Sequence, residues 1–214
     1  MFKKIAIIDY QMSNLFSVQH ACEHLNIEAE ITSDPKKIAQ ADGAILPGVG
    51  AFGDAMANLK KLGLDETIKK FINTGKPFMG VCLGMQLLMS SSEEFGLHQG
   101  LDIIKGNVKK FPAVNDQSEK IKIPQIGWNK IYQPEDKKWQ NTPLSKVKNN
   151  SYMYFVHSFC VFPSQAENVL SLTNYSGFEY CSSVINDNVF AVQFHPEKSG
   201  PDGIKIYQEW FKQI

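Results

Sequence analysis

The sequence predicts an α/β fold in one domain, residues 1–214, with a mainly parallel central sheet flanked by helices and extended by antiparallel strands. Two observations predict this fold. Over the first 90 residues, short apolar runs alternate with helical patterns, and parallel strands need such crossover helices because tight turns cannot join them. Beyond residue 100, strand-like runs are linked by polar turns, which is typical of antiparallel strands.

Apolar spacing and helix-start signals place the elements of the first part. Asn14 is a favoured N-cap residue, and apolar side chains recur at helical spacing from Leu15 to Leu25. Asp34 followed by Pro35 begins a second, short helix. In chain order we predict a strand at 5–9, the helix after Asn14, a strand at 28–32, the short helix, a strand within 43–50 that leaves through a glycine-rich turn, a helix at 53–73 and a strand at 76–81.

Runs rich in β-branched and aromatic residues predict the strands of the second part. The polar stretch 134–150 is interpreted as an excursion rather than a linker, and no repeat interrupts the chain. We therefore expect no domain boundary. The predicted strands lie within 107–111, 129–133, 151–159, 168–173, 178–185 and 188–194, and a helix at 203–213 follows them.

The bulk properties exclude several classes of function. Lysine and arginine together number 22, as do aspartate and glutamate, which argues against nucleic acid or an anionic membrane as the main partner. The first apolar run ends at Asp9, too early for a signal peptide or a membrane span, so we expect a cytoplasmic protein. The four cysteines have no CxxC spacing, so we predict neither a metal site nor a disulfide framework.

Cys82 is the candidate nucleophile. It lies in GVCLG (80–84), directly after a predicted parallel strand, where α/β sheets bind their ligands. This pattern is the thiol counterpart of the G-x-S-x-G turn, in which a sharp strand-to-helix turn exposes the nucleophile. A helix N-terminus favours the thiolate, and the Leu83 amide would face an oxyanion. The alternative is a packed thiol, since free cysteine behaves as a small hydrophobe.

A base and its orienting group are found in QFHPEKSG (193–200). In an extended chain His195 and Glu197 share a face, so Glu197 can hold one imidazole nitrogen while the other faces Cys82. The turn PGVG (47–50) supplies backbone N–H groups at the same sheet edge. Each motif alone has an ordinary reading as a turn or a packed loop. Together, three strand ends present a nucleophile, a base and oxyanion donors.

These motifs resemble those of the class I glutamine amidotransferases. The resemblance rests on GVCLGMQLL, QFHPEKSG and LPGVGAFGDAM, and with DY…N, GWN and YFVHSF it extends to the glutaminase subunits of imidazole glycerol phosphate synthases. It implies that Cys82 attacks the side-chain amide of glutamine, that His195 moves the protons and that Glu197 holds His195. It further implies oxyanion donors at Leu83 and at Gly48, Val49 and Gly50, and substrate contacts at Gln86, Glu94, His157 and Ser158.

The resemblance also implies a partner and no cofactor. In these enzymes ammonia passes to a (βα)₈ cyclase subunit, the other half of a heterodimer, which makes imidazole glycerol phosphate and AICAR for histidine biosynthesis. Glutaminase turnover stays low until the cyclase holds its ligand, so we expect the 47–50 turn of the isolated chain to rest in an inactive peptide orientation. The residues on motifs used near that interface are Asn14, Trp128, Asn129, Tyr154 and Lys198.

Two departures from the family pattern keep other functions open. The first loop has Gln11 and Ser13 where the family usually has glycine, and Phe159 replaces a tyrosine that commonly follows the serine. The alternatives are an ammonia-supplying glutaminase for a sugar amidotransferase in surface-polysaccharide biosynthesis, and a catalytically silent binding subunit. A cysteine peptidase or redox enzyme fits less well, because no resolving cysteine adjoins Cys82.

Overall fold

A computed structural model describes residues 3–115 and 117–214. Its strands are β1 (Lys4–Ile8), β2 (Glu28–Thr32), β3 (Gly43–Leu46), β4 (Phe78–Val81), β5 (Met89–Ser92), β6 (His98–Gln99), β7 (Ile104–Lys110), β8 (Gln125–Lys130), β9 (Tyr152–His157), β10 (Phe159–Pro163), β11 (Val169–Tyr175), β12 (Phe178–Asn186) and β13 (Val189–Val192). Its helices are α1 (Leu15–His24), α2 (Pro35–Gln40), α3 (Phe52–Lys61), α4 (Leu64–Ile72), α5 (Leu83–Leu87) and α6 (Gly200–Phe211), with 3₁₀ turns at Ala166–Asn168 and Pro196–Lys198.

The main sheet has the order β2-β1-β3-β4-β13-β12-β10-β7-β5-β6, with β11 added on β12. The run from β2 to β13 is parallel, and β12, β11 and β10 continue it in antiparallel pairings. This arrangement confirms the predicted α/β fold with a mainly parallel centre and antiparallel additions. The last predicted strand, β13, joins the two parts of the sheet, since it pairs in parallel with β4 as well as antiparallel with β12.

Strand β4 lies between two parallel neighbours, and this pairing decides where the candidate residues meet. Gly80 is in register with Leu46 of β3 and with Ala191 of β13. All three strands therefore end at the same edge of the sheet, where their loops leave together. The turn 47–50, Cys82 and the segment 193–197 come directly after these three ends.

Each face of the sheet carries its own apolar core, because side chains alternate along a strand. In β1, Ala6 and Ile8 belong to the core under α2, α3, α4 and α5, whereas Ile5 and Ile7 belong to the core under α1 and α6. The helices thus cover both faces, as parallel sheets require. Among the described residues 3–115 and 117–214, no helix is long and apolar enough to cross a membrane.

Two predicted elements are each divided in the structure, and the strand predicted within 129–133 lies earlier in the chain, as β8. The helix predicted at 53–73 is two helices, α3 and α4, because Gly63 between them adopts a left-handed conformation with φ 65°. The long strand predicted at 151–159 is likewise divided into β9 and β10 at Ser158, and β9 turns away to pair with β8 as a separate antiparallel ribbon. This ribbon lies over the same face of the sheet as α1 and α6, with Met153 and Phe155 in their core.

Gly84 is required by packing, and we predict that Gly84→Ala lowers the free energy of unfolding by about 3 kcal/mol. A Cβ at this position would lie 1.8 Å from the carbonyl oxygen of Leu46, which belongs to β3 and cannot move aside. Urea unfolding of both proteins measures the difference.

Gly63→Ala is the matched control. It adds the same methyl group at a left-handed position with no heavy atom within 4 Å, so it carries only the backbone cost of about 1 kcal/mol. Equal losses in the two variants would contradict the packing explanation.

Candidate active site

Cys82 is at the junction of β4 and α5 in a strained backbone conformation, with φ 54° and ψ −107°. Its own N–H donates to the Val192 carbonyl at 2.8 Å, which ties the junction to β13. A Cβ at Gly80 would lie 3.0 Å from the Ala191 side chain, and one at Gly84 would strike β3. The two glycines around the thiol therefore allow α5 to start close against the sheet, and Cys82 is only 5% exposed.

His195 and Glu197 form a buried pair. The imidazole Nδ1 lies 2.7 Å from Glu197 Oε1, and both side chains are fully buried. Since an ionised carboxylate only accepts, Nδ1 carries the proton and donates it. The backbone is fixed as well, because the His195 N–H donates to the Tyr154 carbonyl at 2.9 Å and the Ser199 hydroxyl donates to the His195 carbonyl at 2.6 Å.

The protonation of His195 depends on two opposing effects. Burial by itself lowers the pKa of His195, but attraction to a Cys82 thiolate and to the Glu197 carboxylate outweighs burial and raises this pKa to about 10. With Nδ1 committed to Glu197, Nε2 is the nitrogen on the side of Cys82. It is buried and makes no hydrogen bond of normal geometry among residues 3–115 and 117–214, although its interaction with Cys82 contributes to the raised pKa. The geometry is that of an imidazole held by a carboxylate on one side and facing the Cys82 side chain on the other.

Asn14 is a third member of this cluster. Its Nδ2 donates to Glu197 Oε1 at 2.7 Å, so the carboxylate oxygen that holds His195 has a second donor. Asn14 lies at the start of α1, as predicted, but its side chain makes no capping hydrogen bond. The predicted position of the helix start was right. The predicted capping role of the Asn14 side chain was wrong, because this side chain donates to Glu197 instead.

A cavity of about 260 Å³ opens beside Cys82. The predicted residues that line it are Cys82, Leu83, Val49, Gly50, Gln86, Glu94, His157 and Ser158. A larger cavity, of about 760 Å³, lies between the 133–147 segment and the end of α6, away from Cys82, and its lining mixes lysines, Glu209, neutral polar side chains and two apolar ones. The smaller cavity is the one lined by both the Cys82 thiol and polar side chains that could contact a ligand.

Gln86 and Glu94 each have part of their polar capacity already used. Gln86 Nε2 donates to the Phe159 carbonyl at 3.2 Å and to Gln193 Oε1 at 3.0 Å, so both of its hydrogens have partners. Glu94 Oε2 accepts the first N–H of α3, from Phe52, at 2.7 Å. Each of these two residues can therefore offer a ligand one acceptor oxygen.

His157 is held as a neutral ring at the wall of this cavity. Burial, together with the nearby His195, lowers the pKa of His157 to about 4 despite a hydrogen bond to the Phe159 carbonyl. That bond, 2.8 Å from Nδ1, fixes the tautomer, and Nε2 lies 3.2 Å from the Tyr180 hydroxyl. Nδ1 is thus committed, while the Tyr180 hydroxyl donates its own hydrogen to Gln125 Oε1, and Ser158 beside the ring offers the freer side chain.

The 47–50 turn blocks the site expected for an oxyanion. The Leu83 N–H donates to the Gly48 carbonyl at 3.4 Å, so this carbonyl points toward the amide that an oxyanion would need. The preceding peptide is anchored, because the buried Tyr10 hydroxyl donates to the Pro47 carbonyl at 2.8 Å. The Leu83 amide is thus occupied in this structure, and the inactive peptide orientation of the turn stays a prediction.

The residues predicted near a partner are divided between two environments. Trp128 is 56% exposed and packs edge-on against Tyr154, with ring centroids 6.1 Å apart. Lys198 is exposed next to Glu197. Asn129 lies on the opposite face of β8, where its Nδ2 donates to the Asn174 carbonyl at 2.9 Å. Asn129 therefore joins the ribbon to β11 and does not lie on the exposed face with Trp128.

Two site residues were missed from the sequence. Gln193 Nε2 lies 3.6 Å from Cys82 Sγ, and Tyr10 holds the 47–50 turn. Gln193 could have been found, since it lies two residues before His195 in an extended run and so shares its face. Tyr10 gave no such signal, because its partner is 37 residues away in the chain.

Residues 6–214 match the family model described as glutamine amidotransferase class-I. The chain belongs to the class I glutamine amidotransferase family. Curated relatives named imidazole glycerol phosphate synthase subunit HisH are similar over almost their whole length. The chain is 44% identical to that of Geobacter sulfurreducens over 208 residues, covering 97% of each chain, and 45% identical to that of Syntrophotalea carbinolica over 207 residues, covering 96% of this chain and 98% of the relative.

Solved class I amidotransferase structures share the fold. One titled PurLQS from Thermotoga maritima superposes with a TM-score of 0.73 at 22% identity, covering 99% of both chains. The glutaminase domain of Trypanosoma brucei CTPS gives 0.64 at 20% identity, covering 98% of this chain and 94% of that one. At these identities the likeness concerns the fold alone.

The thiolate–imidazolium attraction predicts a lower pKa for His195 in Cys82→Ser. A serine hydroxyl stays neutral, so the attraction is lost, while burial still favours the neutral ring. We expect the pKa to fall by about 2 pH units. NMR titration of the imidazole carbon and nitrogen signals measures it. A pKa that stays near 10 in the variant would show that Glu197 alone sets the value.

Proposed function

We propose that this chain is the glutaminase subunit of an imidazole glycerol phosphate synthase. It hydrolyses glutamine to glutamate and passes the ammonia to a (βα)₈ cyclase partner, which makes imidazole glycerol phosphate and AICAR in histidine biosynthesis. The observation that carries the proposal is a cavity lined by Cys82, whose side chain interacts with the buried imidazole that Glu197 holds. Relatives of that name, 44% identical and covered over 97% of their length, support this partner over the sugar amidotransferase.

Catalysis follows from the protonation states. The Cys82 thiolate attacks the side-chain carbonyl carbon of glutamine, and the carbonyl electrons move to oxygen. When the carbonyl re-forms, the C–N bond breaks and the His195 imidazolium gives its Nε2 proton to the departing nitrogen. Neutral ammonia and a glutamyl thioester result. Glu197, which accepts from Nδ1 throughout, keeps the ring in place.

Hydrolysis of the thioester restores the enzyme. Neutral His195 takes a proton from water as the water oxygen attacks the thioester carbon. Collapse of this adduct breaks the S–C bond, so that glutamate leaves, the thiolate re-forms and His195 is again an imidazolium. The proton gained from water replaces the one that left with ammonia.

Substrate orientation is assigned from the remaining polar groups of the cavity. Gln86 and Glu94 contribute oxygens, since the Gln86 hydrogens and one Glu94 oxygen are used internally. Acceptors of this kind suit the N–H groups of glutamine, including its ammonium. His157 and Ser158 line the neighbouring wall. Glutamine is thus held with its side-chain amide directed at Cys82.

A partner surface adjoins the catalytic groups. The outward face of the β8–β9 ribbon exposes Ile126, Trp128 and Tyr152, and Phe16 on α1 is 70% exposed. Lys198 is exposed within the same 3₁₀ turn as Glu197. Apolar rings with a polar rim suit a protein interface. A cyclase docked here encloses the exit of ammonia. Such enclosure is needed because ammonia in bulk water at neutral pH becomes unreactive ammonium.

We also propose the cytoplasmic location that the sequence predicts.

We predict that Cys82→Ala abolishes glutamate release and labelling by a diazo-ketone analogue of glutamine, with an unchanged circular dichroism spectrum. The substitution removes the nucleophile of the first step, without which no thioester forms. Glutamate is measured enzymatically and labelling by mass spectrometry. Cys22→Ala, which alters a buried thiol on α1, is the control and keeps both properties. Retained glutamate release in Cys82→Ala would contradict the mechanism, and a native chain that is not labelled would favour a silent binding subunit.

We further predict that glutamate release by the isolated chain is low and rises at least about 100-fold when the histidine-pathway cyclase of the same organism and its nucleotide ligand are both present. The reason is that the Gly48 carbonyl occupies the Leu83 N–H until the turn changes. The assay compares the chain alone, with the cyclase, and with the cyclase and ligand.

The contrary outcome of this assay is informative. No rise in a protein that is still labelled at Cys82 would mean a working glutaminase whose partner is another enzyme. A high rate in the isolated chain would mean that the turn does not limit catalysis.

A further inference from the structure

A row of buried amide groups leads from the cavity wall to the sulfur of Cys82. Gln86 Nε2 donates to the Phe159 carbonyl at 3.2 Å and to Gln193 Oε1 at 3.0 Å, and Gln193 Nε2 lies 3.6 Å from Cys82 Sγ. Gln193 is fully buried and Gln86 is 6% exposed. Buried carboxamides are costly unless they are paired, so their orientations are strongly determined.

The direction of every bond in this row is fixed from one end. A backbone carbonyl can only accept, so Gln86 must turn its nitrogen toward Phe159. That nitrogen has two hydrogens, and the second meets Gln193, which must therefore present its oxygen. The Gln193 nitrogen is then left on the side of Cys82. Reversing Gln193 would bring two N–H₂ groups together and place a carbonyl oxygen against the sulfur.

The sulfur has few other polar neighbours. The Val156 carbonyl, at 3.9 Å, is an acceptor and so interacts with the protonated thiol only. The N–H of Gln193 is a donor, which interacts better with the thiolate. His195 also supplies a donor, but it gives its proton away in the first step and recovers it in the second. Gln193 has no proton to lose, so it faces the sulfur in every state.

We propose that Gln193 is a catalytic residue, whose side-chain amide donates a hydrogen bond to the Cys82 thiolate and directs the sulfur toward the cavity. The proposal rests on the proposed glutaminase function and adds a residue to its site. Gln86 has a second role in this arrangement, because it orients Gln193 as well as lining the cavity.

The variant that tests the proposal is Gln193→Met. Methionine has a similar length and shape but no N–H donor. The reaction measured is alkylation of Cys82 by iodoacetamide as a function of pH, followed by mass spectrometry of the Cys82 peptide. Burial raises the pKa of Cys22 to about 12 and raises the pKa of Cys160 and Cys181 above the ordinary thiol range, so these thiols stay unreactive.

We expect the pH midpoint of alkylation to rise by about one unit in Gln193→Met, since a hydrogen bond to a charged group is lost. In the glutaminase assay with the partner and its ligand, kcat falls about 10-fold and KM changes little. Asn168→Ala, which alters a buried amide bonded to the Ile185 carbonyl and away from the cavity, leaves the midpoint and kcat unchanged.

Gln86→Met separates the proposal from a purely structural role of Gln193. This variant loses a cavity oxygen and the group that orients Gln193, but keeps the Gln193 donor. We expect a higher KM and less than half of the midpoint shift. An alkylation profile of Gln193→Met that superposes on the native profile would overturn the proposal, and so would equal shifts in the two variants.

Iodoacetamide does not require glutamine turnover, so this test stands apart from the proposed function. Failure of the native chain to release glutamate with its partner would remove the glutaminase proposal while the alkylation profiles still decide whether Gln193 faces the thiolate. A native glutaminase with an unshifted Gln193→Met profile would remove only the role of Gln193.

Discussion

The strained backbone of Cys82 is the constraint on which the rest of the site depends. A non-glycine residue with φ 54° and ψ −107° costs about 1 to 3 kcal/mol, and it persists only where the surroundings determine it fully. Here β4 is held on both sides by parallel strands. The first turn of α5 therefore packs directly against β3. Gly84 allows this start because its missing side chain leaves room for the Leu46 carbonyl. The strained conformation directs the thiol out of the sheet and into a cavity.

The main parts of the site could be predicted because each rests on a local pattern. GVCLG gives a sharp turn after a strand, and the i, i+2 spacing of His195 and Glu197 places both on one face. The rest depends on contacts that no local pattern carries. Asn14 has the signal of an N-cap, but a carboxylate 183 residues away is its partner. The break at Gly63 was hidden because the apolar spacing continues through it.

Two buried side chains of the cavity wall share one acceptor, and that restricts what each can do. The Phe159 carbonyl accepts from both His157 and Gln86, so it has no capacity left for a ligand. This saturation fixes the tautomer of His157 and the orientation of Gln86 together. The family resemblance implied that both residues contact the substrate, but it could not show that the Nδ1 hydrogen of His157 and the Gln86 amide hydrogens are already used. What remains toward the cavity is mainly acceptor oxygen and the sulfur.

Hydrogen bonds also limit how the 47–50 turn can move. The Leu83 amide has one hydrogen, and the Gly48 carbonyl holds it, so this amide cannot also bind an oxyanion. Tyr10 holds the Pro47 carbonyl before the turn, and Glu94 holds the Phe52 N–H after it. A change that frees the Leu83 amide while keeping both anchors is therefore confined to residues 48–51. Two of these four residues are glycine, and Gly50 already has φ 142°. Because glycine has no side chain to clash, a peptide group in this segment can rotate while both anchoring hydrogen bonds are kept.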